Sequence, residues 1–372
     1  MSKRTKIMVV GAGDIGTRVC HALAQSAQPL DIVLAGRDDD RLTREANTTH
    51  FGALARGVRS TVTPLRVDLD DVDRTAEQIA DQRPDIVFAS ASVQSWRVLF
   101  TLAPAAFAPL YEAAYGPWLP FHLAPVVNLM QAVRASGTDA VIVNAAYPDA
   151  VHPLLADDGL SPHIGIGNVA NNVPAVRTIA AERLGADPAD VTVRLVAHHY
   201  VSHRISRTGD SGGAPFHLTV WLHGERVDLE PESVFAPLLT THRRLGGLPG
   251  QAMTVASALS VLEPLITGSE VRTHAPGPDG LVGGYPVRLD SGRIELDLDP
   301  ELSLQAAEEI NRVGQRYDGI AEIENGWVTF EERSAAVLSE QLGYECSKLH
   351  WSEAAERATE LRRKFVEYQK RA

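Results

Sequence analysis

The sequence is poor in several things, and each shortage closes off a class of protein. Its 372 residues hold two cysteines. Cys20 and Cys346 stand too far apart in sequence for a metal-ligand spacing and are too few for a disulfide scaffold, so a reduced, cytoplasmic protein is expected. No apolar run approaches the roughly 20 residues that a membrane-spanning helix needs, and the opening run, Ile7 to Val10, is too short for a signal-peptide core. Positive charge is scarce: 35 Lys and Arg against 47 Asp and Glu give a formal net charge of −12. Such a surface repels nucleic acid and anionic membranes. The sequence has no internal repeat and no low-complexity linker. What remains is a chain with 44% hydrophobic residues, long enough to bury a large core in two domains. Its expected partner is a small-molecule substrate.

The first third alternates strand and helix. Residues 6–10 read as a short apolar strand. Residues 14–26 place Ile15, Val19 and Leu23 on one helical face. Strands follow at 30–37, at "VTPLRVDL" and at 84–90, with a helix near 71–82 between the last two. Short strand–helix–strand intervals call for parallel pairing with right-handed crossovers. In that setting "GAGDIG" (11–16) is a dinucleotide turn: Gly11 permits the tight turn, Gly13 lets the backbone approach a pyrophosphate, and Gly16 lets helix pack on strand. Asp14 and Ile15 open the helix whose N-terminus faces the phosphates. The second strand ends in Gly36-Arg37, and a guanidinium suits a 2′-phosphate, which favours NADP over NAD. Asp38, Asp39 and Asp40 leave the other option open, with Arg37 a surface residue and a carboxylate on the ribose. Asp68 lines the adenine end or caps a helix. Ser90 and Ala91, after the fourth strand, complete the expected cofactor set.

The middle of the chain, "PVVNLMQAVRASGTDAVIVNAAYPDAVHPLL" followed by "PHIGIGNVANNVPAVRTIAAERLGADPADVTVRLVAHHYVSH", resembles the lactate and malate dehydrogenase family. "GGLPGQAMTVASALSVLEPLI" is similar to that family's long helix, and "GGYPVRLDSGRIELDLDPELSLQAAEEINRVG" to its closing strands and final helix. The resemblance spans about residues 6–315. It implies an α/β fold: a doubly wound parallel Rossmann sheet in residues 1–150, a second α+β substrate domain in 151–330, and a helical C-terminal extension in 331–372. In the extension, Ser352 is a plausible N-cap for a helix with Ala358, Leu361, Phe365 and Tyr368 on one face, packed on its own domain or on a second subunit. A homodimer or homotetramer is implied by the same resemblance.

Carried over by residue, the resemblance makes Asn144 the side chain that holds substrate and nicotinamide, and His199 the proton-transferring histidine. Asn171 and Asn172 stand where the family orients that histidine with a carboxylate, so Asn172 takes the orienting role. Ala175 replaces the arginine that clamps the substrate carboxylate, with Arg177 in a packing position. The family's mobile loop falls at 91–124, where the lone arginine, Arg97, takes the carbonyl-polarising role. That stretch carries Trp96, Phe100, Phe107, Tyr111, Tyr115, Trp118 and Phe121, and reads as an aromatic lid or as an extra helix hairpin. Tyr115 and His122 are alternative proton sources.

"HHYVSH" (198–203) also has a metal-binding reading. As a continuation of the β-branched run before it, a strand would hold His199 and His203 about 13 Å apart at roughly 3.3 Å per residue, so no metal is expected. Arg204 and Arg207 then fall in a glycine-rich loop. The resulting expectation is an NAD(P)H-dependent oxidoreductase acting on a ketone, an imine or a 2-keto acid. The alternative is an inactive dinucleotide-binding sensor or scaffold, motivated by Asn171, Asn172 and Ala175.

Overall fold

The computed structural model describes residues 4–371. Its first part winds through β1 (Lys6–Val10), α1 (Asp14–Ala24), β2 (Asp31–Gly36), α2 (Asp39–Ala55), β3 (Thr61–Arg66), α3 (Val72–Gln82) and β4 (Ile86–Ala89). After an irregular aromatic stretch come α4 (Pro104–Tyr111), α5 (Pro120–Ser136), β5 (Val141–Asn144), α6 (Pro148–Ala156) and β6 (Ile164–Gly165). The six strands form one parallel sheet in the order β3-β2-β1-β4-β5-β6. β1 and β4 are the continuous apolar runs that a strand covered on both faces requires, with Ile7–Val10 and Ile86–Ala89 all buried. The strand order reverses between β1 and β4, so a crevice opens at their carboxyl ends, where ligands bind in open α/β sheets. The expected boundary at residue 150 falls inside α6, and β6 extends the first sheet beyond it.

The second part runs through α7 (Val173–Leu184), β7 (Val191–Val196), α8 (His199–Thr208), β8 (His217–Leu222), β9 (Glu225–Val227), α9 (Pro231–Phe235) and α10 (Gln251–Thr267). It continues with β10 (Val271–Pro276), β11 (Gly284–Asp290), β12 (Arg293–Leu296) and α11 (Leu304–Tyr317). Two antiparallel sheets, β7-β8-β9 and β10-β11-β12, meet at an isolated bridge between Ala197 and Gly284. α10 packs on α1, tying this part to the first sheet.

The chain ends with β13 (Ile320–Glu324), β14 (Trp327–Phe330), α12 (Glu332–Leu342), β15 (Lys348–His350) and α13 (Ala354–Gln369). The tail from residue 331 is therefore not purely helical: β15 completes a third antiparallel sheet, β13-β14-β15. His350 rather than Ser352 caps the turn that leads into α13. Of the face read from the sequence, Ala358, Leu361 and Phe365 are buried in the same core as Met8, Val87 and Trp118 of the first domain. Tyr368 reaches out to donate its hydroxyl to the Ala106 carbonyl at 2.9 Å. Phe365 stands edge-on to Trp118, with ring centroids 5.6 Å apart. Phe365→Ala is expected to cost about 3–5 kcal/mol, because the ring is fully buried and its removal leaves a cavity. Chemical denaturation with an unchanged m-value is the check.

Candidate active site

The glycine turn is built as its sequence requires. A Cβ on Gly16 would lie 1.8 Å from the Gly11 carbonyl oxygen, and Gly11, at φ +110°, has the Ala91 nitrogen 2.6 Å from where its Cβ would be. The turn closes only with glycine at both places. Gly13 caps α1 without a side chain, leaving the first-turn N–H groups no side-chain acceptor. The turn opens into a cleft of about 890 Å³ lined by Gly11, Gly13, Gly36, Arg37, Asp68, Ser90 and Ala91, among others. Asp14, Ile15 and Gly16 do not line it. Asp14 pairs with Arg18 at 2.8 Å, Ile15 packs against the sheet core, and Gly16 is the close-packing point. The Ser90 hydroxyl donates to Val10 and Gly11 carbonyls at 3.1 and 3.0 Å, holding the turn against β4.

A second group of polar residues lies beside this cleft. α5 contributes Ala124 and Pro125 to the cleft wall, and from its first turn His122 to the group. The strand expected to continue through residue 201 ends at Val196. His198 caps the next helix, so His199 and His203 sit one turn apart on α8 with ring centroids 6.2 Å apart. The strand reading, with its 13 Å separation, is thus corrected: β-branched composition carried the strand too far, and the cap at His198 stopped it. Arg204 and Arg207 consequently stand on a helix, not in a loop. Among the described residues, no three His, Cys, Asp or Glu side chains are grouped to hold a metal ion.

His199 has the orienting carboxylate that the sequence around residue 172 lacks. Its Nδ1 lies 2.7 Å from Asp318 Oδ2, the C-cap of α11. Tyr147 donates its hydroxyl to the same oxygen at 3.0 Å, from a backbone held at φ 44°. Asp149 Oδ1 accepts from the His199 backbone N–H at 3.2 Å and from the Asn168 amide. α11 seats against α8 because residue 314 is glycine, whose Cβ would come 2.6 Å from that of His198. The Tyr115 ring covers His199 at 5.0 Å, and its hydroxyl bonds His122 Nε2 at 2.9 Å. His203 shares its Nε2 with the hydroxyl of Tyr111 at 3.1 Å and with Arg207 at 2.9 Å.

The charges in this group divide sharply. Burial works against an imidazolium at His199, but the charge and hydrogen bond of Asp318, helped by Asp149, outweigh it and raise the pKa to about 9. Asp318 is held below its ordinary value: burial opposes ionisation, and His199 overrides it. Burial is the main cause that lifts Asp149 to about 6. His122, His198 and His203 are each pushed down to about 4, chiefly by burial. At neutral pH one imidazolium therefore stands among neutral histidines. Because its folded pKa exceeds the unfolded value of 6.5, its stabilising contribution is complete below that value. It is lost as pH rises through about 9. Thermal denaturation between pH 7 and 10 is expected to show an alkaline fall that His199→Gln flattens.

The other expected site residues are dispersed. Asn144 is buried in its own turn, bonded to Ala146 and to His152, and has no free face for a ligand. Asn172 bonds Ser202 and Arg244 and does not reach His199, so the orienting role passes to Asp318. Half-buried Arg97 stands within electrostatic reach of Asp14 and of Tyr115. Burial lowers its pKa, while both of these support its charge. With its amide oxygen turned toward Arg97, Gln251 accepts from Nε and Nη2 at 2.9 and 2.8 Å. Trp96, Phe100, Phe107 and Tyr111 form a run of touching rings over this region, whereas Trp118 and Phe121 belong to the core. Asp318 and Asp149, which hold His199, are the candidate site residues that sequence reasoning missed.

Comparison with known proteins agrees with this architecture. Residues 7–100 match the saccharopine dehydrogenase NADP binding domain. No curated protein matches the chain significantly. Among solved structures, lactate dehydrogenase from Eimeria maxima with NADH and oxamate superposes with a TM-score of 0.53 at 14% identity, covering 85% of this chain and 92% of that one. Malate dehydrogenase from Salinibacter ruber gives 0.54 at 16% identity, covering 84% and 95%. Malate dehydrogenase from Cryptosporidium parvum gives 0.53 at 14%, covering 85% and 99%. At such identities the likeness is one of fold: the chain has the α/β, Rossmann-type architecture of NAD(P)-binding dehydrogenases.

Proposed function

We propose that the protein is an NAD(P)H-dependent oxidoreductase that reduces a carbonyl or imine carbon, with NADP the favoured cofactor. The observation that carries this reading is the His199–Asp318 pair at 2.7 Å, set beside a glycine-turn cleft. The cleft fits a dinucleotide: the turn admits no Cβ at Gly11 or Gly16, leaves Gly13 open, and ends at the N-terminus of α1. When bound, the nicotinamide ring supplies the hydride that the substrate carbon accepts. Every such transfer needs a proton on the adjacent oxygen or nitrogen.

His199 is equipped to give that proton. Asp318 and Asp149 keep it charged at neutral pH, and Asp318 ties down Nδ1. Nε2 makes no hydrogen bond among the described residues, and the side chain keeps 29% of its exposure, so that nitrogen is free to face a substrate. Arg97, in reach of the Tyr115 that covers His199, offers a guanidinium suited to polarise a carbonyl or to bind a carboxylate. Tyr115 holds its phenol proton, because burial raises its pKa. The aromatic run from Trp96 to Tyr111 supplies an apolar wall for the substrate. The inactive-sensor reading rested on Asn171, Asn172 and Ala175; Asp318 supplies a carboxylate to His199, which answers the first two of these and leaves Ala175 as its motive.

The test is NADPH and NADH oxidation against a panel of ketones, 2-keto acids and imines. Turnover abolished by His199→Ala, with cofactor affinity retained, supports the proposal. Tight cofactor binding without turnover across the panel would favour the sensor.

A further inference from the structure

One wall of the cofactor cleft comes from the far end of the chain. α13 places Thr359, Arg362, Val366 and Lys370 along it, in the helical stripe that spacings of three and four produce. The opposite stripe, Leu361 and Phe365, is fully buried, so the orientation of the helix is fixed. Arg37 and Arg41 line the same cleft from the end of β2 and the start of α2.

The carboxylates there are already engaged. Asp38 accepts from the Arg41 backbone N–H at 3.0 Å, and Asp68 from that of Asp70 at 3.3 Å. Asp70 accepts from the Asn128 amide at 3.3 Å, and Glu367 pairs with Arg363 at 2.9 Å. Arg37, Arg41, Arg362 and Lys370 form no ion pair among the described residues. Together with Arg363, these cations outnumber the carboxylates Asp38, Asp68, Asp70 and Glu367 of the same lining, so on a chain of net charge −12 this cleft is locally cationic and draws an anion. Val366, one of the few large apolar side chains left exposed, lies in the same wall and offers a flat surface to a base.

We infer that α13 is part of the cofactor site: Arg362 and Lys370 join Arg37 and Arg41 in holding a phosphomonoester on the adenosine ribose, with Val366 against the adenine. The inference rests on the reading of the cleft as a dinucleotide site and adds how that site selects. A phosphomonoester carries between one and two negative charges at neutral pH and accepts paired bonds from a guanidinium. The ribose hydroxyl of NADH offers neither.

The experiment is calorimetric titration of the full chain, as wild type, as the Arg362→Ala, Lys370→Ala double variant, and as Arg37→Ala. The titrants are NADPH, NADH and adenosine 2′,5′-bisphosphate, with inorganic phosphate as a control. All three substituted side chains are exposed, so melting temperatures should match. The double variant is expected to lose about tenfold or more in affinity for NADPH and for the bisphosphate, with a shallower salt dependence, while NADH changes less than about twofold. Unchanged NADPH affinity in the double variant, with selectivity lost in Arg37→Ala, would overturn the role of α13 and leave the dinucleotide reading standing. Equal losses for NADPH and NADH would also overturn it, making α13 a mere support of the cleft. A folded wild type that binds neither nucleotide would defeat the dinucleotide reading itself. Inorganic phosphate binding as tightly as the bisphosphate would mean a simple anion site and overturn the inference.

Discussion

Asp318→Asn is expected to lower kcat/KM by about 10²–10⁴-fold, the range that a positioned acid–base group contributes. The substitution removes the charge that holds His199 protonated at about 9 while leaving the burial that works against it. Its pKa should fall toward neutrality or below, since Asp149, bonded to the His199 backbone rather than to its ring, offers weaker support. Two losses then combine. Fewer molecules carry the proton at working pH, and the amide can meet Nδ1 with either its oxygen or its nitrogen, so the tautomer is no longer fixed. The measurement is the pH profile of kcat/KM for reduction. In the wild type the alkaline limb should reflect the loss of the His199 proton near pH 9, and in the variant it should move down by a unit or more, with Asp318→Glu restoring part of the shift. An Asp318→Asn enzyme that is slower but keeps its alkaline limb would reduce Asp318 to a packing residue and remove the proton role of His199. Tyr147→Phe deletes only a donor to the same carboxylate and leaves its charge in place, so the limb should not move down.

The legible and illegible parts of this site differ in the range of the contacts that make them. The glycine turn, β1 and its neighbours are local: continuous apolar runs, glycines at fixed offsets and short crossovers place Gly11, Gly13 and Arg37 in one crevice with no help from the rest of the chain. The α7 helix, Val173–Leu184, likewise has local bounds, Pro174 at its start and Gly185 at φ +63° just past its end. The end of β7 was not, because Val191 to Val201 keeps its β-branched composition past the point where His198 caps a helix. The pairing of His199 with Asp318 spans 119 residues and depends on α11 seating on α8 at Gly314. Nothing near Asp318 marks it, and a search for a carboxylate near residue 172 looked in the wrong segment. Asn144 shows another limit of such a carry-over: it ends β5, but its side chain bonds its own turn.

Gly13→Val separates a cofactor turn from a merely structural one. A Cβ at Gly13 meets no atom within 4 Å, and its backbone, φ −82° and ψ −171°, is open to any residue. The fold therefore has no need of glycine there, unlike Gly16, where the Cβ would press into the Gly11 carbonyl at 1.8 Å. If the open space belongs to a pyrophosphate, a valine side chain fills it. Stability should change by less than about 1 kcal/mol, the scale of a helix-cap substitution, while NADPH affinity falls about 100-fold or more, the loss of nearly 3 kcal/mol of contact. Gly16→Ala should lose both affinity and melting temperature, because the turn must open to admit it. Calorimetric titration alongside thermal denaturation distinguishes the two. Undiminished NADPH binding in a stable Gly13→Val protein would mean that the dinucleotide does not lie over the turn, and that the glycines serve only the packing of α1 on the sheet.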